Sequence, residues 1–163
     1  RKELAMKKIP SLLKTVFGIS LVFAASSTLV NCDDTSKSTS SADTTLYGRL
    51  GGTPAITAVI DSFLPLVLKD TVINARFNTL PASHIASLRQ QLIDLVGYAT
   101  GGNVKYGGKD MKTAHTGMNI KSEEFDALVG DMVASLNKNK VPSKEQGELG
   151  TILVSLKPQV VGQ

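Results

Sequence analysis

The stretch Tyr106–Ile120, YGGKDMKTAHTGMNI, holds one of only two histidines in a chain of 163 residues. His115 lies among apolar residues at helical spacing, with Met111 one turn before it. A lone histidine is most often a satisfied, partly buried side chain. Its other common use is as a neutral imidazole that ligates a metal. Which applies depends on what surrounds the stretch.

The surroundings read as helical throughout. Thr53-Pro54 has the form of an N-cap followed by proline in the first turn. Ile56, Val59, Ile60, Phe63 and Val67 then recur at three- and four-residue steps. Pro65 falls inside this stripe and is expected to bend the helix or end it early. Ile85, Leu88, Leu92, Leu95, Val96 and Ala99 mark a second helix that stops at Gly101-Gly102. A third is expected from a cap at Ser122, with Glu123 and Glu124 complementing its N-terminal dipole. Its stripe is Phe125, Leu128, Val129, Met132, Val133 and Leu136. A fourth is expected at the capping box Ser143-x-x-Gln146, burying Leu149, Ile152, Leu153 and Leu156 up to Pro158. No segment alternates and none repeats, so the fold class is all-α with four main helices. Tyr47, Phe63, Phe77, Tyr98, Tyr106 and Phe125 are the only aromatics after Leu46. A core this poor in rings has room for a large flat ligand.

The N-terminus reads as an export signal. Lys7, Lys8 and Lys14 precede an uncharged run from Val16 to Val30, then small residues before Cys32. That run of 15 residues is short of the roughly 20 that span a bilayer. Cys32 is the only cysteine, so no intrachain disulfide can form. The division is residues 1–31 as signal, 32–45 as a flexible polar tether and 46–163 as the folded domain. Charge follows that division. Residues 1–31 carry five of the 18 basic residues and one of the 14 acidic ones, leaving 13 of each from Cys32 onward. The basic pI near 9.2 therefore belongs to the signal, and nucleic-acid binding loses its electrostatic basis. Two histidines and one cysteine offer no zinc spacing. The acidic Asp126 and Asp131 read as solvated faces, and His84, at a helix start, reads as exposed and without a role.

In order along the chain stand LYGRLGGTPAITAVIDSF, Arg76-Phe77, Gly101-Gly102, YGGKDMKTAHTGMNI, EEFDALVGDMVASL and KVPSKE. Together they resemble a truncated haemoglobin of the first group, a globin with a two-over-two helical sandwich. The resemblance implies haem b as cofactor, with His115 as the proximal ligand to its iron and Phe77 stacked on the porphyrin. It implies that Tyr106 and Met111 line the haem on the proximal side, Leu88 and Leu92 on the other, with Phe63, Leu64 and Ile120 completing the pocket. The chemistry of neutral imidazole as haem ligand agrees. "TLVNC" followed by a polar run resembles a bacterial lipoprotein signal. This implies an exported protein anchored through a lipid on Cys32, facing the periplasm or the cell exterior.

Members of this family often retain oxygen with a distal tyrosine and glutamines. Those positions fall here on Leu64, Leu88 and Leu92, leaving Gln90 and Gln91 as the nearby amide donors. The expected function is the binding of a diatomic gas, O2, NO or CO, served by an electron donor of unknown identity. A haem enzyme (nitric oxide dioxygenase or peroxidase-like) is the alternative, though no distal acid–base pair is in view. A haem-free interaction module is the third reading, disfavoured by His115 and Phe77.

Overall fold

The computed structural model describes residues 44–163. The export signal, Cys32 and the tether up to residue 43 lie outside the described residues. The described residues form seven α-helices: α1 Leu46–Leu50, α2 Gly52–Val67, α3 Ala82–Ala99, α4 Met111–His115, α5 Ser122–Lys138, α6 Ser143–Ser155 and α7 Lys157–Val160. A 3₁₀ turn, Asn74–Arg76, lies between α2 and α3. No strand occurs among the described residues, only one isolated bridge between Ile120 and Val161. The four long helices are the four read from the apolar stripes.

Helix α2 is the hub. It packs on α3 in one layer and on α5 of the other, where α5 also packs on α6. Ile60, Leu136, Leu149 and Val67 are fully buried at this crossing, each stabilising the fold by about 1.5–3 kcal/mol. Ser135 lets α2 and α5 approach closely. Its hydroxyl is wholly enclosed and donates to the Val59 carbonyl at 2.5 Å. Arg89 forks onto Asp61 at 2.5 and 2.9 Å, tying α3 to α2, and Arg49 ties α1 to Glu145 and Glu148 of α6.

Helix starts differ from the expected caps. Thr53 does not cap α2; the helix begins at Gly52 after Gly51, whose φ of 97° suits glycine. The Tyr47 hydroxyl supplies the missing acceptor, 3.0 Å from the Thr53 amide and 2.8 Å from its Oγ1. Helix α2 runs through Pro65 and stops at Val67. Ser122 is the first residue of α5 rather than its cap, and the Glu124 carboxylate accepts from the Lys121 amide at 2.7 Å. The box Ser143-x-x-Gln146 does not form: Pro142 precedes α6 with no side-chain cap. Gln146 turns back instead, donating to Asn137 Oδ1 and the Val141 carbonyl, and so fastens the α5–α6 turn. Thr44 and Thr45 lie just ahead of α1: Thr45 Oγ1 caps it and the Thr44 carbonyl accepts from Arg49.

Asp131 departs from the solvated-face reading. Its Oδ2 is buried without a hydrogen-bond partner. Burial first, then repulsion from Asp70, pushes its carboxyl pKa up. A raised carboxyl pKa means the ionised form opposes folding. That cost is absent below the ordinary Asp pKa of about 4 and is complete once pH exceeds the raised value. Asp131→Asn is therefore expected to stabilise the protein at pH 7 by about 1 kcal/mol. Its advantage over wild type should shrink as pH falls through that window, as urea unfolding at stepped pH will show.

Candidate haem site

Helix α4 has only five residues, too short to hold itself in water. Asp110 nucleates it: Oδ1 accepts from the Thr113 amide at 3.0 Å and its carbonyl from the Ala114 amide at 2.9 Å. Hydrogen bonding from the Thr113 side chain, and then from its amide, holds the Asp110 carboxyl below its usual range. The approach to α4 is fixed by glycines. At Gly102 a Cβ would lie 2.6 Å from the Tyr47 ring and 2.8 Å from the Gly97 carbonyl, so only glycine fits. Gly108 lies under the Tyr106 ring in the same way. The Tyr106 hydroxyl donates to the Lys109 carbonyl at 2.8 Å and closes the loop.

His115 ends α4, half-buried. Its Nδ1 lies 2.7 Å from the Met111 carbonyl. A carbonyl only accepts, so in the neutral ring the proton sits on Nδ1 and Nε2 carries the lone pair. This is the tautomer a metal-ligating histidine needs, fixed by the hydrogen bond on its other nitrogen. Helix α4 packs on α7 but makes no extended contact with α3 or α5. Tyr106, Met111 and Ile120, which flank His115 along the chain, are half-buried. Phe77, Leu88 and Leu92 are half-buried at the edge of the main core, against which they pack. Apolar surface left partly uncovered on two elements that do not close on each other suits a large flat apolar group. The residues fit haem.

Phe63 and Leu64 stand apart from this set: they are closed into the core, 2% and 7% exposed. Tyrosine donors are not at hand. Tyr47 is spent at α2, Tyr106 at Lys109, and Tyr98 is 61% exposed on α3. Gln91 is exposed, and exposed Gln90 donates to Asp94 at 2.9 Å. Neither glutamine is a buried donor. His84 is exposed near the start of α3, as expected. Among the described residues, no three His, Cys, Asp or Glu side chains gather as a metal cluster.

Residues 45–161 match the bacterial-like globin family. The chain belongs to that family. The group 1 truncated haemoglobin of Tetrahymena thermophila is 28% identical over 119 residues, spanning 73% of this chain and 96% of that protein. The group 1 truncated haemoglobin of Synechocystis sp. is 33% identical over 112 residues, spanning 66% and 88%. Among solved structures, the Fe(III) truncated haemoglobin of Tetrahymena pyriformis superposes with a TM-score of 0.68 at 28% identity, covering 73% of this chain and 99% of that one. This globin is thus an all-helical two-over-two fold whose cofactor is haem, and its family binds diatomic gases at that haem.

Proposed function

We propose that this globin holds haem b on His115 and binds O2, NO or CO with weak retention of oxygen. The observation that carries the reading is the His115 geometry: Nδ1 committed to the Met111 carbonyl, Nε2 left as a ligand. His115 would hold the haem, which when bound would supply an iron able to take up a diatomic gas. The protein's contribution is the setting. Phe77 and Met111 offer apolar surface to the porphyrin, with Tyr106 and Ile120 on the side of His115. Leu88 and Leu92 give the opposite side an apolar wall that offers no hydrogen bond. Dioxygen becomes polarised when held and is retained by donors. CO and NO depend on them less. A missing donor costs roughly 0.5–1.5 kcal/mol, about tenfold in affinity. Haemin added to the purified chain should give a Soret band that shifts on reduction and again with CO. No specific band would refute the reading.

The same globin is proposed to be exported and anchored through a lipid on Cys32, facing the periplasm or the cell exterior. The support is the basic-then-apolar run before Cys32 and the polar run after it. Native chain should sediment with membranes and Cys32→Ala should not; equal sedimentation would remove the anchor.

A further inference from the structure

The segment that follows His115 is held by a side chain far away in sequence. Arg76 closes the 3₁₀ turn that leads into Phe77. Its guanidinium forks onto Glu124 near the start of α5, at 2.6 and 2.8 Å, 48 residues along the chain. The same group donates to the Met118 carbonyl at 2.8 Å and to that of Asn119 at 3.4 Å. The Met118 amide in turn donates to the His115 carbonyl at 3.0 Å. A continuous path of hydrogen bonds therefore joins the Phe77-bearing turn to the main chain of His115.

The clamped segment is costly to keep in shape without help. Asn119 has φ of 48°, a left-handed conformation that non-glycine residues seldom adopt. Its amide donates to the Gln163 carbonyl at 2.7 Å, while its own carbonyl faces Arg76. Ile120 bridges Val161, and its carbonyl accepts from the Gly162 amide. Helix α4 otherwise packs broadly only on α7. The C-terminal residues hold one side of the segment and Arg76 the other. Arg76 is suited to this because its planar fork holds a carboxylate through two parallel bonds while also donating to carbonyls, a bidentate geometry that a lysine ammonium lacks.

Resting on the reading that His115 ligates haem, we infer that Arg76, fixed by Glu124, is a positioning residue that sets how the His115 imidazole is presented to the iron. A role in local folding alone would alter the segment's order without altering the ligand. Three readouts on wild type, Arg76→Ala, Arg76→Lys, Glu124→Gln and His115→Ala separate the two. The first is amide exchange at Asn119 and Lys121 in the haem-free chain. The second is the iron–histidine stretching band of the ferrous protein by resonance Raman. The third is haem release to a scavenger. Arg76→Ala should speed exchange, shift and broaden the band, and release haem about tenfold faster, the low end for loss of an outer-shell partner. Arg76→Lys should restore part of each, and Glu124→Gln should fall between. An unchanged band and release rate in both Arg76→Ala and Glu124→Gln, with only exchange altered, would overturn the positioning role. A wild-type band that persists in His115→Ala would instead sink the ligand assignment, and the positioning role with it.

Discussion

Replacement of His115 by alanine is expected to remove the proposed protein ligand to the haem and with it the native Soret band, in ferric, ferrous and ferrous-CO states alike. Loss of an outer-shell partner of a metal ligand costs ~10–100-fold in affinity; loss of the ligand itself should cost more. The fold should survive. His115 is half-buried at the end of a five-residue helix and takes no part in the core around Ile60 and Leu136. Helical content by circular dichroism should therefore match wild type, and added imidazole should restore part of the band. His84→Ala is the matched control, because that ring is exposed near the start of α3. An unchanged spectrum in His115→Ala would transfer the ligand role elsewhere or end the assignment.

Leu88→Gln should slow oxygen dissociation from the ferrous protein about tenfold, through one new hydrogen bond of roughly 0.5–1.5 kcal/mol, with little change for CO. Leu88 is the better site than Leu64. It is half-buried at the edge of the core, so a glutamine of similar volume keeps part of its amide near water. Leu64 is 7% exposed, and a tyrosine there would overpack the α2 face at a cost of about 1–3 kcal/mol. Gln90→Ala and Gln91→Ala should leave oxygen kinetics unaltered, since both side chains are exposed. Equal effects on oxygen and CO would mean that Leu88 acts by blocking access rather than by lacking a donor.

The legible parts of this protein were those written in local chemistry. Four apolar stripes located α2, α3, α5 and α6 because a helix must bury one face against its neighbours. Gly101-Gly102 marked the end of α3, and the structure adds that Gly102 lies under the Tyr47 ring, where only glycine fits. Caps were read less well. Thr53, Ser122 and Ser143 each have the right chemistry for an N-cap, yet each lies one or two residues inside its helix. The acceptor came from elsewhere in space at α2, where Tyr47 serves, and Gln146 was drawn to the α5–α6 turn. Asp131 was misread for a related reason. Its helical spacing suggested solvent, whereas packing buries its Oδ2 and brings Asp70 near.

By itself the sequence determined the helical class, and its resemblance to the family pointed to His115 as the candidate ligand, to its apolar companions and to leucines where polar donors often stand. Each of these depends on residue identity within a few positions along the chain. Only the tertiary structure decided which nitrogen of His115 is free, because the proton on Nδ1 is set by where the Met111 carbonyl points. It alone showed that all three tyrosines lie away from a donor's place or are spent on other bonds. It alone brought Arg76, Glu124 and the C-terminal residues around the segment after His115. Those bonds join residues 42 and 48 positions apart, and no periodicity in the chain encodes a meeting that folding creates.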